Sequence, residues 1–179
     1  MKKASFKEAM VLWAKPERVV LITSKDTTDT PCVMTVAWIM RASFRPPIFA
    51  ISVGKERRMH SCLMHAREFV VAVPGKDMAK ETILCGTPSD EDVDRFEQCH
   101  FRIKPGNFVA VPLIENCIAN FECKVVGQMD SGDHTIFAGE VQASWVSDES
   151  SQNLLVIGEE SGYTLLAEDG PYRIGVVRA

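Results

Sequence analysis

The 179-residue chain lacks the positive charge and the long apolar runs that identify two large classes of protein. Lys and Arg number 20 against 24 Asp and Glu, which gives a formal net charge of -4. Because binding to a nucleic-acid backbone needs a broad positive surface, we exclude a nucleic-acid partner. No apolar run approaches the roughly 20 residues of a membrane-spanning helix, so we expect no membrane insertion.

The sequence also lacks the short motifs of common metal and catalytic sites. Its 6 cysteines include no CxxC pair, its 4 histidines include no HExxH, and no GxSxG occurs. We therefore predict no metal site and no serine-hydrolase site. The chain also begins without the apolar segment of a secretory leader. We expect a cytoplasmic protein whose reduced cysteines are mostly small core residues.

What the sequence does contain is a series of short apolar, β-branched runs bounded by turn residues. No Gly, Ser or Pro linker divides them, so we predict one domain over residues 1–179. Many strands of this kind favour a small closed antiparallel barrel, because closure removes exposed edges. The periodicity predicts strands at 18–24, 33–39, 48–53, 68–73, 119–128, 134–146 and 154–158, and short helices at 59–67, 77–85 and 89–98.

The stretch with the most functional information is Pro31–His60. Its second predicted strand ends at Gly54, where glycine permits a turn with positive φ, and Lys55, Arg57 and Arg58 follow at once. A glycine turn that leads into a helix offers backbone N–H groups beside cationic side chains, which suits an anion such as phosphate. The alternative is a solvated cluster of surface cations. Neighbours on a turn point in different directions, so any of the three could make the contact.

Taken together, these pieces resemble the flavin reductase-like family, whose fold is the FMN-binding split β-barrel. The similarity spans roughly residues 18–166 and follows the family's order. The chain departs from the family at Cys32, where members often have Asn, and at Met59, where members often have Thr. The resemblance is carried by TSK (23–25), VMTVAW (33–38), SFRPP (43–47), SVGKER (52–57), EFVV (68–71), CGT (85–87) and GDHTIFAGEV (132–141).

The resemblance implies a mainly β, closed antiparallel split β-barrel with a few short helices, which forms a homodimer and binds FMN, or FAD, near the subunit boundary. NAD(P)H would be the hydride donor. The candidate catalytic residue is His134, which would lie near the nicotinamide or the flavin. The flavin ring would lie beside Thr35, Val36, Ala37 and Trp38. The phosphate would lie beside the turn that contains Ser52, Val53, Gly54, Lys55, Arg57, Arg58 and His60.

Four of these positions also have an ordinary structural explanation. Trp38 would serve equally well as a core or interface aromatic. His60 would be a polar group at a helix start, and His134 an exposed hairpin residue. Cys32 would be either a redox-active thiol beside the flavin or a buried thiol. No second cysteine is near it in the sequence, which favours the buried thiol.

We predict a flavin-dependent oxidoreductase that accepts a hydride from NAD(P)H and passes electrons to a free flavin or to another acceptor, which includes an acceptor protein. The protein would hold the ring and align the nicotinamide over it, without an obligatory acid or base of its own. Two alternatives stay open. One is a flavoredoxin-type electron carrier that keeps FMN bound and is reduced by a partner protein. The other is a non-catalytic flavin-binding barrel.

Overall fold

The computed structural model describes residues 3–6, 9–10, 17–87, 93–148, 155–157, 163–170 and 172–177. Strands dominate this part of the chain, and every strand pair is antiparallel, which confirms the prediction of a mainly β protein. The strands are β1 (Glu17–Arg18), β2 (Val20–Lys25), β3 (Pro31–Val36), β4 (Ile39–Phe44), β5 (Pro47–Gly54), β6 (Glu68–Val73), β7 (Ile103–Lys104), β8 (Leu113–Ile114), β9 (Ala119–Ser131), β10 (His134–Val146), β11 (Leu155–Ile157), β12 (Tyr163–Asp169) and β13 (Tyr172–Val177).

Seven of these strands form one sheet in the order β3-β2-β6-β9-β10-β5-β4. Its longest strands, β9 and β10, form the hairpin that we predicted, and Gly132 turns between them with a φ of 64°. Strands β3 and β4 are the two edges, and no described residues pair one edge with the other. The closed barrel that we predicted is therefore not observed in this sheet. Strands β1, β11, β13 and β12 form a second sheet.

Besides helical residues at 6 and 9–10, three α-helices and one 3₁₀ helix have bounds within the described residues. They are the 3₁₀ helix Lys76–Met78, α1 (Arg58–Ala66), α2 (Ala79–Gly86) and α3 (Arg95–Gln98). Helices were predicted at all of these places, but the last one is shorter than expected. Asp94 has an extended conformation and caps α3 by accepting hydrogen bonds from the N–H groups of Phe96 (2.8 Å) and Glu97 (3.2 Å). The predicted start at Ser89 lies outside the described residues.

The sequence prediction missed β4 and the last two strands. One strand was predicted over residues 33–39, but β3 ends at Val36, and a hydrogen bond from Ile39 N–H to the Ala37 carbonyl (2.8 Å) closes a turn before β4. Strand β4 is mostly exposed, and the side chains of Met40 and Phe44 are 62% and 78% exposed. Its apolar residues therefore do not alternate as they do in a half-buried strand. A turn at Arg45 and Pro46 separates β4 from β5.

Buried side chains in the described part of the chain form three groups. Alternate residues of β2 face opposite sides of the large sheet, so Ile22 packs toward α1 and Leu21 packs toward α2 and α3. A third group packs α2 against the second sheet. All six cysteines are buried and free, as predicted. The main members of the first group are Ile51, Leu63, Phe69 and Phe137; of the second, Val70, Phe96 and Ile114; and of the third, Val19, Ile83, Leu155 and Ile174.

Candidate functional site

A pocket of about 670 Å³ lies where the loop before β3, the start of α1 and the segment around α2 and α3 meet. Residues within 26–34, 56–59, 85–87 and 93–96 line it. This volume falls in the range of roughly 300 to 1,000 Å³ that is usual for small-molecule and cofactor sites. The pocket brings the predicted cationic turn next to segments that the sequence pattern did not connect with it.

The start of α1 gives the pocket an anion-binding character. Arg57 is the N-cap residue, and its N–H donates to the Gly54 carbonyl (3.0 Å), which closes a turn after β5. The positive φ predicted at Gly54 is wrong, because Gly54 is the last residue of β5 and is not among the glycines with positive φ. No side chain caps the helix, and no acidic residue occupies its first turn. The backbone N–H groups of a nine-residue helix therefore meet the pocket together with two arginines.

The loop before β3 is held by a single carboxylate. Asp26 Oδ1 accepts hydrogen bonds from the N–H (2.9 Å) and hydroxyl (2.7 Å) of Thr28 and from the N–H of Thr30 (3.1 Å). Asp26 Oδ2 pairs with Arg58 Nη2 at 2.7 Å. The Thr28 hydroxyl and the Arg58 guanidinium hold the pKa of Asp26 well below its ordinary value. Asp26 is therefore ionised at neutral pH and fixes Arg58 at the pocket.

The structure separates the three cations of the predicted turn. Lys55 Nζ lies 3.5 Å from Asp130 Oδ2, and its N–H donates to the Asp133 carbonyl (2.9 Å), so Lys55 is held by the β9–β10 hairpin. Arg57 and Arg58 line the pocket, and Lys55 does not. Arg57 makes no ion pair with any residue that the structure describes.

The wall between these cations and α3 is largely apolar. It includes Cys32, Met34 and Phe96. Cys32 also lies beside a second cysteine, Cys62 of α1, and the hydrogen bond with the Cys62 side chain and burial raise the pKa of the Cys32 thiol. The two cysteines are 30 residues apart in the sequence, so the sequence did not predict that Cys32 has a thiol neighbour.

The four residues predicted beside the flavin ring do not share one environment. The Thr35 hydroxyl donates to the Thr82 carbonyl (2.5 Å), so this side chain packs on α2. Val36 is buried in the group that packs toward α1, and Ala37 packs against the group beneath the second sheet. Trp38 is 50% exposed. None of the four is among the residues that line the pocket.

Trp38 instead pairs with His134. Their ring centroids lie 4.8 Å apart with an interplanar angle of 33°. His134 Nδ1 donates to Asp133 Oδ1 (2.7 Å), and this bond holds the pKa of Asp133 below its ordinary value. A Cβ at Gly54 would lie 3.6 Å from both His134 Nε2 and Arg57 Cγ, so the aromatic pair is adjacent to the cationic end of the pocket.

The remaining predicted residues support this region from the sheet. Ser52 N–H donates to the Trp38 carbonyl (2.9 Å), and Val53 is buried in the core. His60 Nε2 lies 2.9 Å from the Thr135 hydroxyl, and its ring packs edge-on against Phe137 at 5.6 Å. His60 thus faces β10 and is not among the residues that line the pocket.

Sequence reasoning missed several residues of the pocket. The most informative of them are Asp26, Thr28, Thr30, Arg95 and Phe96. The run KDTTDTP at 25–31 lies between two predicted strands, and its density of hydroxyl and carboxylate groups next to a predicted site strand was a usable signal. Nothing in the sequence near Arg95 indicated that α3 would line the same pocket as the cationic turn.

The described residues contain neither a metal-ligand cluster nor a membrane-spanning helix. No three His, Cys, Asp or Glu side chains in the described ranges come together in a way that could hold a metal ion. No helix in those ranges is both long enough and apolar enough to cross a membrane.

Comparison with known proteins gives consistent matches. The profile of the flavin reductase-like domain matches residues 14–166. An uncharacterized protein of Archaeoglobus fulgidus is 36% identical over 132 residues, which cover 74% of this chain and 73% of that protein. An NADH-dependent FAD reductase of Streptomyces globisporus is 33% identical over 113 residues, which cover 62% of this chain and 60% of that enzyme.

Two solved structures share the fold. Flavoredoxin of Desulfovibrio vulgaris superimposes with a TM-score of 0.77 at 21% identity, with 89% of this chain and 90% of that chain covered. The NADH:FAD oxidoreductase of Streptomyces globisporus superimposes with a TM-score of 0.75 at 25% identity, with 87% and 92% covered. The resemblance inferred from scattered sequence pieces is thus confirmed: this chain belongs to the flavin reductase-like family.

Proposed function

We propose that the protein is a flavin-binding reductase that takes a hydride from NAD(P)H on FMN and passes the electrons to a free flavin or another acceptor. The observation that carries the proposal is the uncapped start of α1, with Arg57 beside it, at a pocket of about 670 Å³. The activities of two relatives support it, since one is an NADH-dependent FAD reductase and another an FMN reductase that uses NADH.

The donor set at the cationic end fits a phosphate monoester. Backbone N–H groups at the start of α1 and the Arg57 guanidinium would bind the phosphate oxygens by charge-assisted hydrogen bonds. Arg58 contributes positive charge but is already paired with Asp26. Thr28 and Thr30 bring hydroxyl groups to the same pocket, where they suit the polyol chain that joins the phosphate to the ring.

The apolar wall would hold the ring. Met34 and Phe96 provide contact surface, and backbone amide groups of β3 would meet the polar edge of the ring. When bound, the flavin supplies the redox chemistry, because its ring accepts a hydride from a nicotinamide. Trp38 and His134 lie just beyond Gly54, where they would orient the nicotinamide and exclude water from it. These residues position the reactants, and none needs to transfer a proton.

We further propose that the active form is a cytoplasmic homodimer with the closed barrel of its family. Large apolar side chains are exposed on β4, β9 and β10, which is typical of an interface. Trp145 of β10 contributes less to such an interface, because its Nε1–H donates to buried Glu122 (2.7 Å). The exposed apolar side chains on these strands are Met40, Phe44, Val126, Met129 and Val146.

The cytoplasmic location is supported by the six free cysteines, which suit a reducing compartment.

The function is tested on the purified protein by absorbance. We expect NADH or NADPH to be oxidised only when FMN, FAD or riboflavin is added or already bound, and anaerobic NAD(P)H to bleach the visible absorption band of the flavin. A bound flavin that only a redox-partner protein reduces would identify an electron carrier instead. Absence of NAD(P)H oxidation with all three flavins and of reduction by a partner would leave a non-catalytic flavin-binding barrel.

The dimer is tested separately by light scattering at micromolar protein concentration. We expect a particle of twice the 19.9 kDa chain mass. A particle of the single-chain mass would contradict the homodimer without affecting the reductase assay.

A further inference from the structure

Two cysteines that are distant from the cationic turn lie side by side at the other end of the pocket. Cys85 Sγ, near the end of α2, is 3.8 Å from Cys99 Sγ, which follows the last residue of α3. Both side chains are mostly buried, at 4% and 7% exposure. Cys85 also lines the pocket and Cys99 does not, so a small molecule inside the pocket meets Cys85 with Cys99 3.8 Å from it.

The surroundings of the pair favour one ionised sulfur. The two sulfurs lie at hydrogen-bond distance, and either thiol could be the donor. The contact with Cys85 lowers the pKa of the Cys99 thiol, the contact with Cys99 raises the pKa of the Cys85 thiol, and burial raises both. The positive charge of Arg95 lowers the pKa of both thiols, and the negative charge of Glu81 opposes it. Arg95 is held in place by hydrogen bonds from Nη1 to Gln98 Oε1 (2.8 Å) and from Nη2 to the Thr87 carbonyl (3.3 Å).

We propose that Cys85 and Cys99 form a peroxide-reactive dithiol, which hydrogen peroxide entering through the pocket converts to a disulfide. Cys99 acts as the attacking sulfur and Cys85 as the resolving sulfur. Under the proposed function, peroxide would arise at this pocket whenever dioxygen oxidises the reduced flavin. The inference does not depend on that source, because added peroxide serves equally.

The reaction balances with peroxide as the only oxidant. The Cys99 thiolate attacks one oxygen, the O–O bond breaks, and the departing hydroxide takes a proton to become water, which leaves Cys99 as a sulfenic acid. The Cys85 sulfur then attacks the Cys99 sulfur, the S–O bond breaks, and the hydroxyl leaves as a second water with the proton of Cys85. The two thiols together lose two electrons, and the peroxide gains two.

The geometry requires only a local adjustment. A disulfide needs an S–S distance of about 2.05 Å, so the two sulfurs must approach by roughly 1.7 Å, which rotation of both side chains about χ1 can provide. The product would tie the end of α2 to the end of α3 and so fix one wall of the pocket covalently.

Cys117 and Cys123 differ from the pair because burial raises the pKa of both thiols, that of Cys123 to about 12, without a thiol partner to offset it.

The wild-type protein is sufficient for the first test. The flavin-free protein is treated with one equivalent of hydrogen peroxide, its remaining thiols are blocked, and a tryptic digest is analysed by mass spectrometry without reduction. Trypsin cleaves after Lys80, Arg95 and Arg102, so the expected product is peptide 81–95 linked to peptide 96–102. The intact mass should fall by about 2 Da, the mass of two hydrogen atoms, and the denatured thiol count should fall by two from six.

Two variants assign the roles of the sulfurs. In Cys85→Ser the hydroxyl can donate to Cys99, and we expect peroxide to produce a sulfenic acid on Cys99 that dimedone traps. Cys117→Ser is the matched control and should form the 81–95/96–102 disulfide like wild type. A disulfide between other cysteines, or a full set of free thiols after peroxide treatment, would overturn the proposal. Because the wild-type digest needs no variant and no flavin, these results are independent of the reductase assay.

Discussion

Arg58 Nη2 lies 2.7 Å from Asp26 Oδ2, so one of the two arginines at the α1 end of the pocket is already engaged by the loop before β3. Its neighbour Arg57 lines the same pocket and has no ion pair with a described residue. Lys55 is held at the β9–β10 hairpin by Asp130. The three cations that follow Gly54 therefore occupy three different electrostatic settings, and only Arg57 is available for a bound anion.

We expect Arg57→Ala to weaken FMN binding while riboflavin binding hardly changes. A charge-assisted hydrogen bond to phosphate contributes on the order of 1 to 3 kcal/mol, so FMN affinity should fall roughly 5- to 150-fold. Arg57→Lys should recover only part of it, because an ammonium group lacks the bidentate fork. Fluorescence titration with both flavins at two salt concentrations measures the effect.

Lys55→Ala is the matched control, because this cation lies outside the pocket lining. It should bind FMN and riboflavin like wild type. If Arg57→Ala weakens the binding of FMN and riboflavin equally, Arg57 shapes the pocket but does not bind phosphate. A large loss of FMN affinity in Lys55→Ala would contradict the assignment of the phosphate site to Arg57.

The Asp26 pair predicts a specific dependence of stability on pH. The pKa of Asp26 lies well below its ordinary value of 3.8, so its ionised form stabilises the folded state. A lowered pKa contributes stability that is present above the ordinary value and is lost as the pH falls through that value toward the pKa of the folded state. We expect Asp26→Asn to reduce the difference in unfolding free energy between about pH 6 and about pH 3, which lie on either side of an ordinary carboxyl pKa.

Urea unfolding at a series of pH values measures this difference. Asp77→Asn provides a comparison, since it removes another carboxylate near a helix start, in the first turn of the 3₁₀ helix. Equal pH dependence in wild type and Asp26→Asn would show that the loop before β3 is not held by its carboxylate.

For His134→Ala we expect weaker use of NAD(P)H with unchanged FMN affinity. The ring contact with Trp38, at 4.8 Å, holds the surface that would face the nicotinamide. An aromatic contact of this kind is worth about 0.5 to 1.5 kcal/mol, so KM for NAD(P)H should rise roughly 2- to 10-fold. Steady-state kinetics with a fixed concentration of FMN separates KM from kcat.

His65→Ala is the control, because His65 is an exposed residue in the last turn of α1. It should have wild-type kinetics. Unchanged KM and kcat in His134→Ala would identify His134 as an ordinary hairpin residue.

Gly139→Ala should destabilise the fold far more than Gly127→Ala. A Cβ at Gly139 would lie 2.2 Å from Cζ of Phe69, whose side chain is fully buried and cannot move aside freely. Overpacking of this kind costs roughly 1 to 3 kcal/mol. At Gly127 the nearest atom would be 3.9 Å away, which is an ordinary contact. Chemical denaturation of the two variants compares them, and equal stability would show that the core around Phe69 can relax.

Much of the secondary structure follows from local pattern. Strands β6 and β10 have the predicted bounds, 68–73 and 134–146, because each is an apolar, β-branched run next to a glycine-containing turn. Helix α1 begins and ends one residue before its predicted limits for a similar reason. Strand β4 escaped prediction because its exposed residues carry no burial pattern.

The family and the position of the cationic turn were also encoded locally, in short pieces whose order along the chain could be recognised without knowing any contact. What only the tertiary structure decided is which side chains meet. It turned Lys55 toward the hairpin and left Arg57 at the pocket, directed Thr35 to α2, and brought Cys99 to 3.8 Å from Cys85. Periodicity determines which face a residue occupies within its own strand or helix. Strand order and the packing of helices determine what that face contacts, and those depend on pairings between segments far apart in the chain.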